Sequence, residues 1–366
     1  MDLELSDDQF ELRDNIRSVL EGACPPAVVR AIYEGDGTSA ELWAQMAELY
    51  WPALGVAEEA GGLGLSFVEV GLLAEELGRA AAPGPLLAMV SQFIPVLEAA
   101  KSDLLPKAVA GEVIGALAYA EHGRWDLDAI ATTASRTPGG WAVTGVKGAV
   151  LAGVNAEFFA VVATTDEGVG VFLVPREHVE VDPGHRIDPG LELADVKFDA
   201  APATELLAPG AATAAVVEEV AQQATVAMAL HIVGACRRIF EVTLDYAKVR
   251  EQYDRVIGSF QALKHRFAEM FLAVERANAV GYYAALAIAE DDVERAEAVH
   301  VAKAAASDCQ RLLAEDGLQL HGGIGYTWEN DLHFLLKRAK AGDALCGSRT
   351  FHRARLAALL GLGEAA

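Results

Sequence analysis

The apolar positions change their period twice along the chain. Ser6 with Gln9 three residues later reads as a capping box, and Phe10, Leu12, Ile16, Val19 and Leu20 then recur at roughly helical spacing. Asp36-Gly37 and the run Ala60-Gly61-Gly62-Leu63-Gly64 break the pattern as loops. The stretch from Phe67 to Arg79 is again amphipathic and predicts a helix. Residues 1–110 therefore read as a helical N-terminal domain.

From about residue 111 to 209 the apolar runs become short. Val113 to Tyr119, Trp141 to Thr144, Phe158 to Ala163, Gly170 to Val174 and Val196 to Phe198 are each bounded by Gly, Pro, Asp or Asn. That punctuation predicts strands, with Pro138-Gly139-Gly140 as a turn between two of them. A block of strands inside a helical chain predicts a separate middle β domain. From Ala211 to Leu362 there is no proline, and Ala, Leu, Glu and Arg dominate. Long helices follow, and four joined by short loops would pack as an antiparallel bundle over residues 210–366. The fold class is α+β.

Composition narrows the function. The chain has 366 residues, 52% hydrophobic and 22% charged, so it can bury a large core and is not disordered. Acids outnumber bases 53 to 29, a net charge of −24. Such a surface repels nucleic-acid backbones and anionic lipid, so any anion site must be built locally. Cys24, Cys236, Cys309 and Cys346 lie far apart, with neither metal spacing nor a disulfide framework, which suits a reduced cytoplasm. The sequence opens acidic and polar, unlike a signal peptide, and no apolar run reaches membrane-spanning length. His265, His333 and His352, and the pair His231 and Cys236, lack metal-ligand spacing, so no metal is expected.

Three segments carry a specific pattern: WPALGVAEEAGGLGLSFVEVGLLAEELGR from Trp51, VREQYDRVIGSFQALKHRFAEM from Val249, and LQLHGGIGYTWE from Leu318. In this order and spacing they resemble the acyl-CoA dehydrogenase family. The resemblance implies a helical N-terminal domain, a middle β domain and a C-terminal four-helix bundle. It also implies FAD as cofactor, an acyl-CoA substrate oxidised at Cα–Cβ, a glutamate that takes the Cα proton, and an electron-transferring flavoprotein as acceptor. In the family each FAD is shared between two subunits. One supplies the flavin pocket, and its neighbour clamps the pyrophosphate and adenosine.

The resemblance assigns the clamp to Arg250, Tyr253, Ile257, Gln261, Gln319, Gly322 and Gly323. Arg250 could fork onto phosphate oxygens. Gly322 and Gly323 would let backbone approach a phosphate closely. Gln261 and Gln319 could meet polar edges of the cofactor. Asp254 stands where the family has glycine and brings a carboxylate towards the phosphates.

The other half of the family pattern is eroded. The T-E-P-x-x-G-S-D element reads Ala118-Tyr119-Ala120-Glu121-His122-Gly123-Arg124-Trp125-Asp126, without its hydroxyls. After Gly145-Val146-Lys147, where the family has W-I-T or W-I-S, stand Gly148-Ala149-Val150-Leu151-Ala152. The usual position of the catalytic glutamate, 24 residues beyond Gly322, is Cys346. The alternative positions near the start of the first bundle helix are Ala224 and Thr225. Asp343 is the nearest acid to Cys346, and Glu218-Glu219 lie nearest the alternative site.

This pattern is expected of a non-catalytic subunit in a heteromeric (α2β2) dehydrogenase, of the kind the family includes among actinobacteria for bulky acyl-CoA esters such as steroid side chains. A catalytic acyl-CoA dehydrogenase paralogue would hold the substrate and share the FAD. Three other readings stay open on the sequence: a self-sufficient homotetramer with an unusual base, a flavin-free acyl-CoA-binding or scaffold protein, and a relative using another acceptor.

Overall fold

A computed structural model of the chain describes residues 4–363; the first three and last three residues lie outside the described residues. The helical start comprises α1 (Asp7–Ala23), α2 (Pro26–Glu34), α3 (Ala40–Glu48), α4 (Phe67–Arg79) and the short α5, α6 and α7 (Leu86–Ala88, Ile94–Ala99 and Leu105–Val109). The expected capping box is present at α1: Ser6 Oγ accepts from Gln9 N, and Gln9 Oε1 accepts from Ser6 N at 3.0 Å. The helix expected at Phe67 to Arg79 has those bounds.

Seven strands follow: β1 (Gly115–Ala118), β2 (Thr133–Thr137), β3 (Gly140–Val150), β4 (Phe158–Thr165), β5 (Gly168–Pro175), β6 (Val179–Asp182) and β7 (Ala194–Leu207). Then come α8 (Ala211–Val249), a small hairpin of β8 (Glu251–Gln252) and β9 (Arg255–Val256), α9 (Gln261–Ala289), α10 (Arg295–His321), α11 (Leu332–Ala344) and α12 (Arg349–Leu359). In chain order the architecture is helical, then β, then helical. The C-terminal part has α12 in addition to the four long helices expected.

The chain forms two compact units. One combines residues 38–70 and 83–224. Its sheet runs β1-β4-β2-β3-β7-β5, and β5 also pairs antiparallel with β4, so the sheet closes on itself. Alternating side chains fill the interior, with Val143, Phe159, Val161, Phe172, Val196 and Phe198 at its centre. The Pro138-Gly139 turn joins β2 to β3 as expected, with Thr137 opposite Gly140. A register shift in β3 falls between Val143 and Gly145. There a Cβ on Gly145 would come within 2.4 Å of Thr132 Oγ1, so glycine is required for the strands to close.

The second unit combines residues 1–37, 71–82 and 225–366. Its backbones approach closely through glycine. A Cβ on Gly78 would lie 1.9 Å from His231 O, and one on Gly234 would lie 1.8 Å from Glu75 O. Within this contact of α4 with α8, the buried Glu75 accepts from Arg237, Asn278 and the Tyr282 hydroxyl. That satisfies a carboxylate whose burial would otherwise be costly. Alanines on α9 and α10, including Ala277, Ala284, Ala302 and Ala306, let these helices pack tightly.

Candidate functional site

The clamp candidates gather at one end of the bundle-containing unit. Arg250 follows α8 directly, with its N–H on Tyr246 O and its carbonyl accepting from Ile257 N at 2.8 Å. That pairing closes the β8–β9 hairpin. Its two turn residues, Tyr253 (φ 54) and Asp254 (φ 59), are both left-handed, as a two-residue hairpin turn requires. Ile257 is buried and anchors the hairpin, whereas Tyr253 is 88% exposed. Gln261 starts α9 and its amide lies 3.1 Å from His265 Nε2.

The loop after α10 is held to the same end by a stacked pair. The rings of Tyr246 on α8 and His321 on α10 lie 4.6 Å apart at 14°. His321 Nδ1 is 2.9 Å from Gly317 O, which fixes the ring. Gly322 then turns with φ 64 and ψ −144, a conformation open only to glycine. A Cβ on Gly322 or Gly323 would meet no atom within 4 Å, so both backbones face open space. Gln319 is exposed beside them. Among the described residues no hydrogen bond or ion pair engages the side chains of Arg250 or Gln319, and Arg250 is exposed. A free guanidinium, two bare glycines and two amides form an arrangement able to receive an anion from outside the chain.

In the β unit, the eroded element is a tight turn. Glu121 and Arg124 exchange both backbone hydrogen bonds around His122 (φ 50) and Gly123 (φ 74). The Glu121 carboxylate points inward, accepting from Ala131 N, Thr132 N and Lys147 Nζ, the last at 2.6 Å. Lys147 is fully buried and also donates to Tyr119 O. Burial pulls Lys147 down to about 8 against the attraction of Glu121. Burial pushes Glu121 up, but the Lys147 bond and charge and the Ala131 N–H together hold it below the usual carboxylate range. Both residues thus serve the turn itself. Gly148 N donates to Ala120 O, and Ala149 (φ 49) donates to Asp195 Oδ1 at 2.8 Å. The methyl of Ala120 and the side chains of Ala149 and Leu151 offer no hydroxyl or indole.

The two positions for a base carry no acid. Ala224 is buried on α8. Cys346 lies in the turn between α11 and α12, with φ 53. Its thiol is buried, and burial pushes it up to about 12. Lys303 Nζ donates to Asp343 O and Gly347 O, His352 Nε2 lies 2.8 Å from Cys346 O, and Ser348 Oγ caps α12 through Phe351 N. The turn is rigidly held, but around a sulfur that stays protonated. The Asp343 carboxylate is 2.9 Å from Lys340 Nζ. Burial raises Asp343, and bonds from Ser307 and Lys340 outweigh it, leaving a net lowering and a weak base. Lys303, Tyr246 and His321 were not identified from the sequence, because their roles depend on burial and stacking.

Among the described residues no cluster of His, Cys, Asp and Glu could hold a metal, and no helix is long and apolar enough to cross a membrane. The protein is thus an α+β fold with a helical start, a closed β middle and a long helical end on which Arg250, Gln319, Gly322 and Gly323 are exposed. The acyl-CoA dehydrogenase N-terminal domain family matches residues 6–112, and the acyl-CoA dehydrogenase C-terminal domain family matches residues 214–361. The acyl-CoA dehydrogenase IpdE2 of Mycobacterium tuberculosis (strain ATCC 25618 / H37Rv) is 31% identical over 341 residues, covering 92% of each chain. The ChsE4-ChsE5 complex from Mycobacterium tuberculosis superposes with a TM-score of 0.89 at 25% identity, over 100% of both chains. The Tcur3481-Tcur3483 steroid ACAD G363A variant superposes with a TM-score of 0.88 at 27% identity, over 98% of this chain and 99% of that one. The chain belongs to the acyl-CoA dehydrogenase family, whose members are FAD-dependent.

Proposed function

We propose that this chain is the non-catalytic subunit of a heteromeric acyl-CoA dehydrogenase and lends its clamp to the FAD of a catalytic paralogue. The observation that carries this reading is the contrast within one chain. Arg250, Gln319, Gly322 and Gly323 are exposed and unengaged, whereas Cys346 and Ala224 occupy the base positions. Removing a Cα proton needs a carboxylate within about 3 Å of that carbon. Neither position supplies one, and Asp343 is tied to Lys340.

The residues fit FAD at the clamp. Arg250 would hold the pyrophosphate, the Gly322-Gly323 backbone would lie against it, and Gln261 and Gln319 would meet the polar edges, with Tyr253 and Ile257 shaping the hairpin. They do not fit at the flavin-ring side, where Ala120, Ala149 and Leu151 lack the expected groups. The bound cofactor supplies the hydride acceptor, and the substrate acyl-CoA would sit in the partner's site. An electron-transferring flavoprotein would reoxidise the complex, as family membership implies. The two heteromeric neighbours, ChsE4-ChsE5 and Tcur3481-Tcur3483, lend the reading support.

Flavin stoichiometry by visible absorbance tests it. The chain alone should be colourless, and the chain co-purified with its paralogue should hold about one FAD per heterodimer, an expectation set by one clamp and one pocket per pair. A yellow homo-oligomer with one FAD per chain would overturn the proposal.

A further inference from the structure

Arg250 and the Gly322-Gly323 backbone come from different helices, so one anion can meet both only where their spacing is fixed. Arg250 follows α8, whereas the glycines follow α10. The two helices meet along a stripe of helical period. A Cβ on Gly317 would come within 2.8 Å of Ile239 Cγ2 and 3.5 Å of Thr243 Oγ1, so α10 lies close against α8 there. One turn beyond Gly317 stands His321, and three residues beyond Thr243 stands Tyr246. Their stacked rings continue the stripe towards the clamp.

Tyr246 joins both halves of that clamp. Its carbonyl accepts from Arg250 N at 2.9 Å. Its ring lies on His321, the residue immediately before Gly322. His321 is itself held. Its Nδ1 lies 2.9 Å from Gly317 O, and a Cβ on Gly325 would lie 2.9 Å from His321 Cβ, so the glycine loop folds back onto the stem of this side chain. Burial lowers the pKa of His321 against the pull of the Gly317 carbonyl, so the ring stacks in its neutral form. An interplanar angle of 14° requires two flat rings; an aliphatic side chain fills the space without fixing the angle.

We propose that Tyr246 is a positioning residue for the clamp: stacked on His321, it fixes the Gly322-Gly323 backbone relative to Arg250 so that both reach one pyrophosphate. This role rests on the lent clamp proposed above and requires no contact between Tyr246 and FAD. Without the stack, the loop holds its competent arrangement for a smaller fraction of the time, and affinity falls by that fraction. The worth of an aromatic pair sets the loss at about tenfold.

The test is FAD titrated into the deflavinated complex of the full-length chain with its paralogue, followed by flavin fluorescence. Tyr246→Leu should weaken binding about tenfold, and Tyr246→Phe, which keeps the ring, should restore the parental affinity. His321→Leu removes the stack from the other side and should give the same loss; it decides the matter if the Tyr246→Leu complex does not assemble on size exclusion. In an Arg250→Ala background one half of the clamp is already gone, and there Tyr246→Leu should cost no more than about twofold. Equal losses with and without Arg250, or Tyr246→Phe binding as weakly as Tyr246→Leu, would make Tyr246 a packing residue and overturn the proposal. If Arg250→Ala weakens binding and Tyr246→Leu does not, the positioning role alone falls. If Arg250→Ala changes nothing, the lent clamp falls and takes this role with it.

Discussion

Lys303 donates from the middle of α10 to the carbonyl oxygen of Gly347 at 3.0 Å, closing the turn that holds Cys346. It also donates to Asp343 O at 3.1 Å, near the end of α11. The ammonium is fully buried, and burial pulls it down to about 8. Replacing it by methionine keeps the bulk and strands two carbonyls. Lys303→Met should cost about 2–4 kcal/mol. Urea unfolding measures it, and an unchanged midpoint would mean that water takes over both bonds.

A second buried cation holds the β unit. Lys147 and Glu121 are both essentially inaccessible and 2.6 Å apart. Lys147→Met leaves a buried carboxylate without its partner, and about 3–5 kcal/mol should be lost. Adding Glu121→Gln removes the stranded charge and keeps one acceptor oxygen, with the amide nitrogen turned towards either Ala131 N or Thr132 N; relief of the buried charge outweighs that one lost bond, so the double variant should be more stable than Lys147→Met alone. A double variant that is worse would show that the carboxylate does not depend on Lys147.

Acid should unfold the protein through its buried histidines. Burial holds His231 at about 3, His352 at about 3 and His300 at about 4. Arg338 adds to the effect at His231, Lys303 at His352 and Arg355 at His300. All three folded values lie below the ordinary 6.5. Below that pH the unfolded chain therefore binds more protons, and stability falls as pH drops from about 6.5 towards 4. Urea midpoints at pH 7, 6, 5 and 4 should decline steadily. His352→Asn, whose native Nδ1 faces His300 Nδ1 at 2.9 Å, should flatten the slope. A midpoint constant from pH 7 to 5 would contradict the assignment.

Much of this fold is legible where side chains alternate or cap. The Ser6 cap, the helix from Phe67 to Arg79 and the strands at Phe158 and Gly170 announce themselves by period and punctuation. β2 and β6 do not: Thr133–Thr137 buries only Ala134, and Val179–Asp182 alternates over four residues. The β8–β9 hairpin is hidden because Tyr253 and Asp254 take left-handed turn positions usually held by Gly or Asn. At the site, the clamp can be read because glycine and arginine carry their chemistry wherever they stand. The turn at Cys346 is set by Gly347 (φ 89) and the Ser348 cap, which end one helix and begin another. Lys303, Lys147 and Glu121 look like surface charges in the sequence, and only the packing brings them inside.

The clamp can be tested without disturbing the fold. A Cβ at position 323 meets open space, and φ there is not left-handed, so Gly323→Val should leave the unfolding midpoint within about 0.5 kcal/mol of the parent. If Gly323 lies against the partner's FAD, the same branched side chain holds the phosphate away, and the co-purified complex should lose most of its flavin. Arg250→Ala removes an exposed charge that no group in the chain engages, so it too should spare stability and assembly. Losing one charge-assisted bond to phosphate costs about 2 kcal/mol, or roughly thirtyfold in FAD affinity. Absorbance per heterodimer, read beside size-exclusion elution, separates the cases. Intact complexes that lose flavin in both variants support a clamp lent in trans. Intact complexes that keep full flavin would place the pyrophosphate elsewhere and leave the exposed glycines as a turn alone.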